Sequence, residues 1–374
     1  MLVTVPWGQR LGGAEAMLQA VLDGARESPH ELEPVFFEAG PWPAELSEAG
    51  FRVEVIRSGR LRQAHRFVAT VAALGRIFRS RRPDIILNWS AKTHLYGSPA
   101  AILTGMGDRL VWWQQSIPTP DSWLDRCATM LPAAAIGCYS TAAARAQARL
   151  FPARSTFVVS AGTRVPQAGS TQAPLELPGE IPVVGLVGRL QPWKGQDRLL
   201  SAQAILRERG HLIHVVIVGG DSYGLSPQYA RSLPALVQRL GLSELVTLTG
   251  QVPDAGPYID QMDVLVNASD PEPFGIVLLE GMARGVAVLA VDSGGPAEFI
   301  EHGQTGVLAR SGEPSALADA LEPLLLSPDL RATIADAGRR RFMADFTDRA
   351  LRERFFGELE KVAHTRAAIP AVRA

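Results

Sequence analysis

Cysteine is scarce: the 374-residue chain has two, Cys127 and Cys138. They give neither a disulfide framework nor a zinc-ligand spacing, so a reducing compartment is expected. Net charge is small, −1, which argues against the strongly basic balance of a dedicated nucleic-acid binder. No apolar run approaches the roughly 20 residues of a membrane span. The longest, Ile181–Leu190 and Val286–Val291, have strand length. The first residues lack a charged segment and cleavage site, so no secretory signal is expected. The GxGxxG spacing of a dinucleotide site is missing, which disfavours a nicotinamide dehydrogenase. Glycine and proline follow no period, which excludes collagen-like and repeat architectures. What is there is 47% hydrophobic and 20% charged residues, the balance of a well-packed globular protein. At this length two domains are expected.

Both halves alternate short apolar runs with amphipathic stretches, the pattern of a parallel α/β sheet. Strands are predicted in the first half at Leu2–Val5, Glu33–Phe37, Arg52–Val55, Ile85–Trp89, Leu110–Gln114, Ala134–Cys138 and Thr156–Val159. In the second they fall at Val183–Val187, His214–Val218, Val246–Thr249, Val264–Asn267 and Val286–Ala290. Between the halves, residues 166–180 are rich in Pro, Gly, Ser, Thr and Gln and read as a linker. The expected organisation is a domain over 1–165, a linker over 166–180, a domain over 181–345 and a closing helical segment over 346–374. Two such domains suggest a cleft with ligands near the strand carboxyl ends.

Three blocks carry chemistry. Gly188-Arg-Leu-Gln-Pro-Trp-Lys-Gly195 follows a strand and sets Arg189 and Lys194 at the lip of the sheet. A forked guanidinium and a compact ammonium can bracket a diphosphate. The chain has only three lysines (Lys92, Lys194, Lys361), so a Lys here points to a required ammonium. Asp270-Pro-Glu-Pro-Phe-Gly-Ile-Val-Leu-Leu-Glu-Gly281 holds Glu272 before a helix expected to start near Phe274 or Gly275, and Glu280 within it. Eight residues of helix would span about 12 Å, too far for the ~5–5.5 Å carboxylate pair of a retaining glycosidase. The spacing suits two acids gripping different hydroxyl-bearing parts of one long ligand, with backbone donors at the helix start favouring phosphate. In Asp292-Ser-Gly-Gly-Pro-Ala-Glu-Phe-Ile300 the glycines allow close backbone approach to a ligand, while Glu298 reads as a helix-start acid. For each block the bland alternative is an ordinary surface loop or helix face.

The first half offers weaker signals. Gly12-Gly13-Ala14-Glu15 makes a phosphate-ready turn after the first strand. His94, and less so Lys92, lie past the strand ending near Asn88, where a donor to a sugar hydroxyl could arise; a surface histidine is the alternative. Gln114 or Gln115 could face an acceptor. Residues 1–165 carry 18 basic and 13 acidic side chains, and Arg52–Arg82 holds nine arginines against Glu54. That stretch is either a solvated helical face or a patch for anionic headgroups.

GRLQPWKG, EPFGIVLLE and GGPAEFI followed by His302-Gly-Gln-Thr-Gly306 resemble the family 4 glycosyltransferases of GT-B fold, most specifically over 183–310. The resemblance implies two Rossmann-like domains facing each other across a cleft, with the first serving the acceptor and the second the nucleotide-sugar donor. It implies transfer of a hexose from a UDP- or GDP-linked sugar to a saccharide, lipid-linked saccharide or small molecule, with retention and without an obligatory metal or other cofactor. By the same resemblance Arg189 and Lys194 neutralise the diphosphate, and Glu272 and Glu280 hold sugar and ribose hydroxyls. Gly13, Phe274, Gly275 and Ile276 offer backbone donors, and His94 touches the sugar. No enzyme nucleophile stands out, which favours a front-face mechanism. A nucleotide-sugar epimerase of the same fold and a non-catalytic sugar-nucleotide binder are the alternatives. The expected setting is cytoplasmic, with peripheral contact at the inner membrane face through the arginine-rich stretch.

Overall fold

The computed structural model describes residues 1–10, 12–26, 28–59, 61–166, 174–179 and 181–367. Residues 167–173 and 180 of the expected linker, 368–374 of the closing segment and Arg60 of the arginine-rich stretch lie outside them. The chain divides into two compact units, residues 1–160 with 349–374, and residues 161–348.

The first unit runs β1 (Leu2–Val5), α1 (Gly13–Ala25), β2 (Glu33–Phe36), α2 (Pro41–Glu48), β3 (Glu54–Val55), α3 (Ala64–Arg81), β4 (Ile86–Asn88), α4 (Ala91–Leu103), β5 (Leu110–Gln114), α5 (Trp123–Met130), β6 (Ala135–Cys138), α6 (Thr141–Ala148) and β7 (Thr156–Val158). Its seven strands are parallel, in the order β3-β2-β1-β4-β5-β6-β7. Right-handed crossovers therefore set α1 and α2 on one face and α3 to α6 on the other. On that second face α3 packs on α4, and α4 on α5. The predicted strand over Arg52–Val55 shrinks to two residues at the sheet edge.

The second unit runs β8 (Val183–Val187), α7 (Gln196–Glu208), β9 (His214–Val218), α8 (Pro227–Arg239), β10 (Val246–Gly250), α9 (Gly256–Ile259), β11 (Val264–Asn267), α10 (Ile276–Arg284), β12 (Ala287–Val291), β13 (Val307–Ala309), α11 (Pro314–Leu326) and α12 (Pro328–Asp345). Its sheet is also parallel, in the order β10-β9-β8-β11-β12-β13. β8 pairs with β9 from Val183 opposite His214 to Val187 opposite Val218. Runs such as HVVIV are buried on both faces, as a helix-covered parallel sheet requires. β13 is an addition to the strands predicted from the sequence. The order reverses at β8, with β9 and β10 to one side and β11 to β13 to the other, creating a switch point between β8 and β11.

The unit boundary falls at Ser160/Ala161, ahead of the expected 165. Thr163 is tied to the end of the second unit: its N–H donates to the Phe346 carbonyl (3.0 Å), and its carbonyl accepts from the Asp348 N–H (2.9 Å). At the far side of the expected linker, Leu175 exchanges two hydrogen bonds with the Gln261 side chain, at 3.2 and 2.8 Å. The last helix, α13 (Asp348–Ala367), groups with the first unit, where Phe355 packs on Trp89 and Trp113.

Candidate active site

Three loops of the second unit meet beside its switch point. They follow β8, β11 and β12, the adjacent central strands. After β8 the chain reaches Gly188 (φ 158°), whose N–H donates to Val218 O at 2.9 Å. A single 3-10 turn, Pro192–Lys194, then ends at Gly195, whose left-handed φ of 74° starts α7. The Gln196 side chain donates to the Arg189 carbonyl (2.9 Å), and the Asp270 N–H to the Trp193 carbonyl (3.1 Å). The Arg198 guanidinium bonds the carbonyls of Trp193 and Ala268, at 3.0 and 2.5 Å, and so fastens the first loop to the second.

The second loop is fastened to the third. Glu272 N–H donates to Ser293 O (3.3 Å) and Gly295 N–H to Glu272 O (2.8 Å). A Cβ on Gly295 would collide with the backbone of Pro273 and Phe274. Gly295 thus permits the close approach of the 272–275 loop.

Lys194 and Glu272 are brought together. The ammonium donates to Glu272 Oε2 at 2.8 Å and lies 4.1 Å from the centre of the Trp193 ring. Asn267, the last residue of β11, donates to the same oxygen at 3.1 Å. Glu272 is only 6% exposed. Burial alone would raise its pKa, but the Lys194 ammonium and the hydrogen bonds to the carboxylate outweigh it, and the group titrates below its usual range. The Arg189 guanidinium, on the same loop, makes no hydrogen bond or ion pair among the described residues, which leaves it available to an anion. Trp193, Arg198 and Asn267 escaped the sequence reading. Their signals were available: an arginine one helical turn after Lys194, and a polar residue ending an otherwise apolar parallel strand.

Phe274 is buried and stacks on Phe299, with ring centres 5.1 Å apart. Gly275 (φ 93°) turns the chain into α10, so the helix starts at Ile276 rather than at Phe274 or Gly275. A left-handed residue cannot belong to the helix it precedes. No side chain caps this helix, so its first N–H groups are left to a ligand or water. Glu280 lies on α10, half-buried, with no hydrogen bond or ion pair to Lys194 or Glu272 among the described residues. Burial pushes its pKa up to about 7, with Arg284 opposing and Asp254 reinforcing the rise.

Gly13 and His94 belong to the first unit. Gly13 opens α1, with no side-chain cap. His94 is a correction. It is not in an open strand-end loop but in the first turn of α4, with 0% exposure. Its ring stacks on Trp112 (5.1 Å, 8°), and Nδ1 faces the Asn88 amide at 3.3 Å. Burial drives its pKa down to about 3. As placed, it is a neutral group packed in the first unit against Trp112. Gln114 is likewise buried, bonded to Asp125 and Gln147 at 3.1 and 3.2 Å. Lys92 lies over the Trp7 ring at 4.5 Å.

Residues 170–341 match the family model described as glycosyl transferases group 1. This stretch, a little under half of the chain, is similar to that family. It contains every site residue of the second unit named above. A D-inositol 3-phosphate glycosyltransferase of Nocardia farcinica is 38% identical over 206 residues, 52% of this chain and 45% of that protein. A GDP-mannose-dependent α-(1-6)-phosphatidylinositol monomannoside mannosyltransferase of Mycobacterium tuberculosis is 36% identical over 170 residues, 43% of each chain. The chain spans about half the length of the relatives that it matches. Among solved structures, Anabaena HepE in complex with UDP-glucose aligns with a TM-score of 0.80 at 24% identity, over 98% of this chain and 99% of that one. The chain thus has the two Rossmann-like units of the GT-B fold.

Proposed function

We propose that the protein is a retaining glycosyltransferase that moves a hexose from a UDP- or GDP-linked donor to a saccharide or lipid-linked acceptor. One observation carries the reading: Lys194 and Glu272 meet at 2.8 Å beside an uncommitted Arg189 and an uncapped helix start. A cation pair for a diphosphate and an ionised acid for sugar hydroxyls lie on loops held rigid by backbone hydrogen bonds. The mycobacterial relative is GDP-mannose-dependent and the HepE structure is a complex with UDP-glucose, which supports a nucleotide-linked hexose.

In the reaction, the C1–O bond to the diphosphate breaks while the acceptor oxygen bonds C1 on the same face. The acceptor proton passes to the departing phosphate oxygen. Arg189 and Lys194 stabilise the charge that grows on that phosphate, supplying the role a metal ion would otherwise fill. Preorganised donors of this kind are worth ~3–4 kcal/mol each. Glu272 stays ionised and accepts from sugar hydroxyls, and it holds the Lys194 ammonium in place before the donor arrives. Glu280 is assigned the ribose hydroxyls, and the first unit the acceptor.

The test is a thermal-shift panel of nucleoside diphosphates, followed by NMR of the glycoside formed. One diphosphate at 100 times its Kd should stabilise the fold by about 2.7 kcal/mol, and the product should keep the donor's anomeric configuration. If no nucleotide shifts the melt, the site is misassigned; an inverted product defeats the front-face route.

A further inference from the structure

One face of the first unit has cations and exposed apolar side chains but no exposed carboxylate on its helices. Helices α3, α4 and α5 lie side by side there. Together they contain Arg66, Arg76, Arg79, Arg81, Lys92 and Arg126. Their single acid, Asp125, is buried against Gln114. Asp84, Asp108 and Asp121 lie in the flanking connections and not on the helices.

Between the cations stand large apolar groups in water: Val68 (64% exposed) on α3, Leu103 (69%) at the end of α4, and Trp123 (64%) and Met130 (66%) on α5. On α5 the exposed residues Trp123, Arg126, Cys127 and Met130 recur at i, i+3, i+4 and i+7, an outward stripe on a helix whose other side is packed. Arg79 bonds the Leu103 carbonyl at 3.3 Å, so charge and apolar surface adjoin. The structure also narrows the arginine-rich stretch. Arg81 faces Glu33 and Glu54 at 3.5 and 3.6 Å, and Arg52 faces Glu33 at 3.8 Å. These two are largely neutralised, and the uncompensated charge lies on the helix face.

We propose that the α3–α4–α5 face docks on the surface of an anionic bilayer. Arginines would meet lipid phosphates while Trp123, Met130, Leu103 and Val68 enter the headgroup region, where an indole ring is favoured. Among the described residues no helix is long and apolar enough to cross a membrane, so the contact is peripheral. The proposal is independent of donor chemistry, because binding is measured without donor or acceptor.

The experiment is vesicle co-sedimentation of the full chain with pure phosphatidylcholine and with phosphatidylcholine containing about a third phosphatidylglycerol. Each arginine near an anionic surface is worth about fivefold in binding. The Arg66→Gln, Arg76→Gln, Arg126→Gln triple variant should therefore bind the anionic vesicles about a hundredfold more weakly. None of these three side chains has a hydrogen bond or ion pair among the described residues, and the variant should melt as the wild type does. Brominated lipid should quench fluorescence in the wild type and much less in Trp123→Phe. Equal binding to both vesicle types, no binding to either, unchanged binding by the triple variant, or capture by an acidic polypeptide but not by vesicles would each overturn the proposal.

Discussion

Lys194→Met is the most informative single change. The wild-type ammonium is 2.8 Å from a carboxylate whose only other described side-chain donor on that oxygen is Asn267, at 3.1 Å. Removing it leaves a buried charge held by neutral hydrogen bonds alone. Breaking a buried pair in this way costs ~3–5 kcal/mol. The Lys194 side chain is 17% exposed, so water replaces part of the lost interaction and the cost should lie near the lower figure. The pH dependence should also invert. In the wild type Glu272 titrates below its ordinary range, so its stabilisation is present at neutral pH and lost as pH falls through the folded value. Without the ammonium, burial dominates and the pKa rises above ordinary. Relative to the wild type, whose slope over this range comes from other groups such as Glu280 and His94, the variant should then gain stability on acidification from pH 7 towards 5. Melting curves across that range, on Lys194→Met and on the Lys194→Met, Glu272→Gln double variant, test this. The double variant should recover most of the lost stability and lose the pH slope that Lys194→Met adds. Transfer should fall about 10²–10³-fold in the single variant, the effect of removing one preorganised donor. A Lys194→Met protein with wild-type pH slope and turnover would refute the assigned role of the pair.

Glu280, with its pKa pushed up to about 7, stabilises the fold in its neutral form, and that contribution declines as pH rises towards and through 7. Glu280→Gln should therefore melt higher than the wild type at pH 8, equal it near pH 5, and bind nucleotide more weakly by calorimetry. His94, neutral when folded down to about pH 3, opposes folding once the unfolded imidazole protonates below about 6.5. His94→Phe should flatten that acid loss in melting curves and leave turnover within about threefold, at a cost of ~1–3 kcal/mol for the stranded Asn88 amide; a hundredfold fall in turnover would show that the core placement is misleading. Gly295→Ala forces the backbone of Pro273 and Phe274 away. Turnover should drop at least tenfold with the far-ultraviolet spectrum unchanged, checked by steady-state rates beside circular dichroism.

The strands over Leu2–Val5, Leu110–Gln114, Val183–Val187, His214–Val218 and Val264–Asn267 were readable to the residue, because a short apolar run bounded by loop residues is a local pattern. The site motifs were equally local. Arg189, Lys194 and Glu272 follow strand ends, and the parallel α/β pattern already points strand ends at ligands. What local pattern cannot supply is which strand ends become neighbours. That depends on the order β8-β11-β12, a product of non-local pairing, and it alone brings Lys194 to Glu272. The same limit misled the reading of His94. Its position after a strand suggested an open loop, yet the Ser90 cap starts α4 immediately and turns the imidazole onto Trp112. Nor could composition sort the arginines. Nine in one stretch looked like a single patch, whereas the sheet edge pairs Arg52 and Arg81 with Glu33, and helix packing adds Arg126 from farther along. Where apolar runs and chemically suited side chains occur is set by neighbours along the chain and is legible there. Tertiary structure decided which of those side chains share a dielectric environment and a partner, because burial and ion pairing depend on groups distant in sequence.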